Sequence, residues 1–408
     1  MLPRPLRHPL LALAAAVLGL CLSPCDSLAA CAPPGQEFRV NTATEGVQQS
    51  SSVAMTAKGD FVIAWQSEIA GSGDEIRARR FDACGLPRSG EIAVNRVTAG
   101  NQNAPAVAAS GNGFVVVWQS LVASNYVIRA RRFDDHGMAL GDDIAVDTRP
   151  RDLHGAPAVV MHESGSFVVV WESSVHGSFE IRARRFDANG VAQGGEIAVN
   201  ASSASSQRVP AVAMDRAGNF VVTWRSNVNG SFEIQAQRFD ARGVAQGPEL
   251  AVNSVQVGDQ LAPAVAMAAG GDFVIAWENS YDRGFEIRAR RFDAAGVAKD
   301  AELTVSPATA GNQFAPALAM TPGGDLIVSW HGLIGDGYDI RARAFGADGA
   351  ALADEQAINT ATPGTQRSAA VTLNAERDFV VAWHSDADGS WDVAARRERL
   401  PRASTAPR

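Results

Sequence analysis

Two columns of residues recur along this chain at spacings that could build a ligand site. The first is a set of side-chain amides with one imidazole: Gln48, Gln102, His154, Gln207, Gln260, Gln313 and Gln366. Each amide both donates and accepts hydrogen bonds, so a ring of them could hold a sugar or a peptide; alternatively, each Gln ties down its own loop. The second is a set of aromatics, Tyr126, Phe179, Phe232, Phe285, Tyr338 and Trp391, usually followed by an acid, as in Glu180, Glu233, Glu286, Asp339 and Asp392. Aromatic platforms flanked by carboxylates suit carbohydrate recognition, and cross-strand packing in a tight hairpin asks for the same residues. These thirteen positions are the candidate ligand-binding residues.

A third pattern is basic. Arg79, Arg131, Arg184, Arg290, Arg343 and Arg396 form one column, with Gln237 in the remaining unit. The next column holds Arg80, Arg132, Arg185, Arg238, Arg291 and Arg397, with Ala344 as the exception. An acid opens the following segment every time: Glu37, Glu91, Asp143, Glu196, Glu249, Glu302 and Glu355. Adjacent antiparallel strands would bring such columns together, so an internal ladder of Arg–carboxylate pairs is expected rather than an anion-binding surface.

Catalytic and metal-binding patterns are scarce. His136, His154, His162, His176, His331 and His384 make no H-x-x-x-H or similar ligand spacing. There is no G-x-S-x-G elbow, no phosphate-binding glycine loop and no Cys–His pairing. His331 and His384 follow a repeated Trp where other units carry Gln, Glu or Arg, and read as variants at a structural position. Turns such as Asp187–Gly190 put Asp first and Gly last, as a type I turn prefers, and supply too few oxygens for calcium. No catalytic residue, cofactor or metal is therefore expected.

The elements that must position these columns follow from a single periodicity. Trp65, Trp118, Trp171, Trp224, Trp277, Trp330 and Trp383 stand 53 residues apart, which marks a structural repeat. Each unit offers four candidate strands; in the third these are 156–161, 166–173, 180–187 and 196–200, separated by Gly-rich turns. The second strand is apolar on both faces, with Phe167, Val169 and Trp171 on one and Val168 and Val170 on the other. Such a strand lies between two layers. Seven units of four antiparallel strands with doubly buried sheets predict an all-β fold, a seven-bladed β-propeller. Residues 37–41 are a fourth strand with no unit before them, and the last unit lacks one. The N-terminal strand is therefore expected to complete blade seven, leaving no open sheet edge. In that ring the Gln and aromatic columns share one mouth of the central channel.

The text NGVAQGGEIAVN at 189–200 and EFRVNT at 37–42, with G-x-F-V-V-x-W and A-x-R-F-D-A-x-G, resembles repeats of large secreted bacterial adhesin and haemolysin-type (RTX-like) proteins. The resemblance covers about 37–397 and implies extracellular display and adhesion, with no catalytic motif to transfer. The glycine–aspartate nonapeptides that bind calcium in such proteins are missing from this sequence.

Residues 1–30 read as an export signal: Arg4, Arg7 and His8 precede the apolar run 10–22, with small residues at 27–30. The run is too short to span a bilayer. A single propeller is expected over 31–397, then a basic, disordered tail at 398–408. Net charge is −8, which gives no footprint for nucleic acid. Cys31 and Cys84 form an even pair in an oxidising compartment, so a disulfide is expected; a lipoprotein anchored through Cys31 is the alternative. Near-uniform loop lengths favour a secreted, monomeric, non-enzymatic interaction or adhesion module whose partner is an extracellular glycan or protein. A glycan-active enzyme, sialidase-like hydrolase or lyase, is the alternative, drawing on acids such as Glu45, Asp152 and Asp259, and a purely structural envelope role is a third possibility.

Overall fold

The structure is a computed structural model. It describes residues 34–401 apart from 176, 203–204, 229, 282–283, 307–310 and 361–363. The expected export signal and Cys31 lie outside the described residues, whereas Cys84 is disulfide-bonded.

Seven four-stranded antiparallel sheets form a β-propeller, as the repeat predicts. Blade three, for example, runs from the inner strand His154–Met161 through Phe167–Val175 and Ser178–Phe186 to the outer strand Ile197–Ala198. Among the described residues no helix is long and apolar enough to cross a membrane. Blade seven takes its outer strand from the front of the chain: Glu37, Phe38 and Arg39 pair with Arg396, Ala395 and Ala394. Its third strand reaches Arg399, and Leu400 is buried, so ordered structure extends past 397 into the segment expected to be tail.

The core lies between blades. Val168 and Val170 of blade three pack with Phe220, Val222 and Trp224 of blade four, and the equivalent cluster joins blade seven to blade one through Val380, Ala382, Ile63 and Trp65. All seven repeat tryptophans are fully buried; removing one such ring costs about 3–5 kcal/mol.

The outer strands are shorter than the sequence pattern suggests, two residues in six blades and three in blade seven instead of five, because side chains complete the ladder. Asn200 Oδ1 accepts the Ile181 N–H at 2.7 Å, where a backbone carbonyl would otherwise stand. The acid that opens the strand reaches across to another blade: Glu196 Oε1 accepts the Thr148 N–H of blade two at 2.6 Å, and Glu302 holds Ser254 in the same way. The arginine columns have different partners from those expected. The first column donates to the preceding blade's backbone, as Arg131 Nη1 to Val94 O and Arg184 Nη1 to Val146 O, at 2.8 and 2.7 Å. The second donates to the following blade's turn, as Arg132 Nη1 to Asn189 O at 2.6 Å. Opposite-charge contacts such as Arg131–Asp143 at 3.8 Å are secondary. The blades are thus stapled in both directions by guanidinium–carbonyl bonds, not by an ion-pair ladder. The turn that receives Arg132 needs its glycine. Gly190 has φ 78°, and a Cβ there would sit 2.9 Å from Arg132 Cδ.

Candidate functional site

The Gln column is buried. Gln48 Oε1 accepts the Trp65 indole N–H at 2.9 Å, and the same bond joins Gln102 to Trp118, Gln207 to Trp224, Gln260 to Trp277, Gln313 to Trp330 and Gln366 to Trp383. The amide nitrogens donate to their own loops, as Gln48 to Glu45 O and Gln313 to Gly311 O. His154 in blade three instead contacts Arg149 O through Nε2 at 2.8 Å. In six of the seven blades this column therefore fastens the inner strand to the tryptophan behind it.

One step along the same strands, seven-fold symmetry breaks. The residue after each Trp is Gln66, Gln119, Glu172, Arg225, Glu278, His331 and His384, and its inner-strand partners are Gln49, Asn103, Gly155, Arg208, Leu261, Phe314 and Arg367. Blades one and two carry only amides here, whereas blades three to seven carry acids, guanidiniums, imidazoles and an aromatic. The inner strand bulges just beyond this pair. Ser50, Ala104, Ala156, Val209, Ala262, Ala315 and Ser368 all take a left-handed φ of 44–55°, a costly conformation for a residue with a side chain.

Two carboxylates hold bulges of the following blade. Glu172 Oε2 accepts the Val209 N–H at 3.0 Å, and its Oε1 pairs with Arg208 Nη2 at 2.9 Å. Glu278 Oε1 accepts the Ala315 N–H at 2.6 Å, and Oε2 has no hydrogen bond among the described residues. Both side chains are all but closed to solvent, at 6% and 8% exposure. Burial pushes the Glu278 carboxyl above the ordinary carboxylate range, against the Ala315 N–H and the charge of Arg225. Arg225 lies in the field of both Glu172 and Glu278. Burial and Arg367 hold His331 and His384 down to about 4, so both rings are neutral at pH 7.

The predicted aromatics meet this asymmetric pair of columns. Phe179 stacks under Arg208 at 4.1 Å, Phe232 under Arg225 at 4.8 Å and Tyr338 under Arg367 at 4.5 Å. Trp391 stands edge-on to His384 at 5.0 Å, Phe285 lies 4.9 Å from Phe314, and the Tyr126 hydroxyl accepts from Asn103 at 3.0 Å. All six are half-buried. Of the acids noted on this face, Asp259 caps Phe232 N at 3.1 Å and also lies in the field of Arg225. Glu45 is exposed and Asp152 partly so.

The sequence does not single out Glu172, Arg225 and Glu278, because their column follows a buried Trp and reads as structural, with His331 and His384 as variants of it. The signal was present: this is the repeat position where side-chain charge changes most from unit to unit. Among the described residues Asp134, Asp135 and His136 also gather within 4.8 Å of one another. Asp134 Oδ1 is already committed to the turn, accepting from His136 N and Met138 N.

No protein-family model and no curated protein sequence matches the chain. Solved structures do. Over 90% of this chain and 99% of the other, the fold is similar to a Dyadobacter fermentans protein of unknown function (TM-score 0.53, 13% identity). It is equally similar to a Penicillium chrysogenum α-L-arabinanase complexed with arabinobiose (TM-score 0.53, 11% identity, 90% and 99% covered). A Fusarium graminearum α-L-arabinofuranosidase gives TM-score 0.52 at 9% identity, covering 91% of this chain and 99% of that one. Identities this low establish the fold alone.

These comparisons nevertheless correct the leading functional expectation. Uniform loop lengths point to a non-enzymatic interaction or adhesion module, whereas an arabinanase and an arabinofuranosidase are among the propellers of comparable fold. Uniform loops do not by themselves argue against an enzyme, because the blades diverge in side chains at one column, with the loops left alike. The enzymatic alternative is carried forward.

Proposed function

We propose that this propeller is a glycan-active enzyme, a glycoside hydrolase whose site is the channel mouth on the side of blades three to seven. The observation that carries the reading is the pair of buried carboxylates, Glu172 and Glu278, placed at one register in alternate blades, with Arg225 at the same register of the blade between them. Glycoside hydrolysis uses two carboxyl groups in distinct environments, one to protonate the leaving oxygen and one to act as base or nucleophile. Burial keeps the Glu278 carboxyl protonated to higher pH than usual, and its Oε2 is unengaged, so it is assigned the acid role. Glu172, paired with Arg208, is the partner carboxylate. The half-buried rings of Phe179, Phe232, Tyr338 and Trp391 offer apolar surface to sugar C–H groups.

The cationic part of the site narrows the substrate. Arg225 and Arg367 make no ion pair among the described residues, and each lies over an aromatic ring. A glycan bearing a carboxylate would satisfy them, and this favours an acidic sugar over neutral arabinan. Release of reducing ends from uronate- or sialate-containing polymers and from arabinan tests the reading. Turnover is expected on an acidic glycan, with Glu278→Gln and Glu172→Gln each lowering kcat by about 100-fold or more while the melting temperature holds. Absence of hydrolysis across the panel, or full activity in both variants, defeats it.

A further inference from the structure

The other end of the channel carries a different chemistry. In every blade the residue near the end of the inner strand faces the first large apolar residue of the second strand. The pairs are Met55–Phe61, Ala109–Phe114, Met161–Phe167, Met214–Phe220, Met267–Phe273, Met320–Leu326 and Leu373–Phe379. Five of the chain's seven methionines thus stand at one register. Together with Leu373 they line a single cavity of about 400 Å³. Each is half-buried, packed on one side against its blade's core, as Met161, Met214 and Met267 are.

Apolar filling does not by itself ask for sulfur, since Leu373 occupies the same register in blade seven. Methionine also specifies a packed core poorly, because three rotatable bonds let the thioether wander. That same freedom allows sulfurs from several blades to converge. Of the harder groups around the cavity, Glu163 is exposed and lies 3.8 Å from Arg216, while His162 and Asp215 are engaged by hydrogen bonds. His162 Nδ1 contacts Ser164 Oγ at 2.8 Å and its Nε2 contacts Arg216 O at 3.0 Å, while Asp215 Oδ1 accepts from Ala217 N and Asn219 N. The donors that five blades bring to the cavity at one register are neutral, polarisable thioethers. Thioether sulfur selects soft cations and is a poor ligand for Mg²⁺, Ca²⁺ or Mn²⁺.

We propose that this thioether ring is a binding site for a soft monovalent d¹⁰ cation, Cu(I) or Ag(I), held by methionine sulfur at the channel end opposite the carboxylates. The site is independent of the hydrolytic reading, since no residue is shared between them.

The test is anaerobic titration of the purified full chain with Cu(I) against the chelator bicinchoninate, with stoichiometry from native mass spectrometry. One ion per chain, with a sulfur-only shell in copper X-ray absorption, is expected. Replacing Met55, Met161, Met214, Met267 and Met320 by Leu should abolish binding while the fold persists, because Leu conserves volume. Met138→Leu should leave binding intact, as Met138 is exposed and outside the ring. The proposal is overturned if bicinchoninate keeps all the copper, if the wild-type shell contains nitrogen or oxygen, or if the five-fold variant binds as well as wild type. The absorption measurement needs only the wild-type chain, so the outcome does not depend on the variants folding.

Discussion

The Trp171 indole N–H is buried opposite His154 without a hydrogen-bond acceptor, whereas each of the other six repeat tryptophans donates to a glutamine. His154 Nδ1 is likewise buried and unbonded, its Nε2 being turned to Arg149 O. Two polar atoms are therefore stranded in one blade where the fold elsewhere satisfies both. Restoring the repeat residue, His154→Gln, should supply the Trp171 acceptor and raise stability by about 1 kcal/mol or more. Chemical denaturation of the two proteins checks this. A variant less stable than wild type shows that His154 does something the amide cannot.

The arginine staples make a reciprocal prediction. Arg184 Nη1 bonds Val146 O of the preceding blade at 2.7 Å, with its guanidinium 5.5 Å from the Phe186 ring. In blade four Gln237 is too short to cross, and it bonds Gly247 O of its own hairpin at 3.2 Å. Arg184→Gln should cost about 1.5–3 kcal/mol, the range for a hydrogen bond to a charged group. Gln237→Arg should gain a staple to the outer strand of blade three and raise the denaturation midpoint. Equal midpoints for wild type and both variants contradict the staple.

Much of the architecture was legible because burial and repetition constrain it jointly. A strand such as Phe167–Trp171, apolar on both faces and repeated seven times, has few places to go but between blades. The terminal strand Glu37–Arg39 was readable as the complement of an incomplete last unit. The arginine partners were not, because strand adjacency predicts neighbours within a sheet, and Arg131 and Glu196 both reach between sheets. The site was hidden for a related reason. Glu172 and Glu278 gain their meaning from the bulges at Val209 and Ala315, contacts that join blades 37 residues apart in sequence, and from the field of Arg225 between them. The bulge itself carries no glycine to announce it. Its left-handed residues are Ala, Ser and Val, followed by Pro in five of seven blades.

Closure of the ring is testable by truncation. Beyond the three-residue ladder, Asn41 Oδ1 accepts the Val393 N–H at 2.8 Å, and Glu37 Oε2 accepts Thr360 N at 2.9 Å across to blade six. Val40 is fully buried in the cluster between blades seven and one. A chain beginning after residue 41 loses this strand and exposes the edge of Asp392–Arg399, a template for association. It should melt well below the intact chain and form oligomers, as light scattering would show. A monomer with unchanged melting temperature refutes closure by this strand.

The two imidazoles predict an acid instability. His331 and His384 are held at about 4 in the folded protein by burial and by the charge of Arg367, with His384 also adding to the effect on His331 and Asp386 opposing it on His384. Their unfolded value is near 6.5. Because the folded pKa is depressed, the unfolded chain binds these protons first. The stability tied to the neutral rings is complete above about pH 6.5 and is lost as pH falls through about 4. Each ring accounts for about 3 kcal/mol at most over that window. Gln occupies the same position in blades one and two, as Gln66 and Gln119, so His331→Gln with His384→Gln keeps a side chain the column already accepts. Denaturation midpoints measured from pH 7 to pH 4 should fall steeply for wild type and much less for the double variant. Parallel curves would mean that the rings are charged in the fold, or that other groups govern the acid transition.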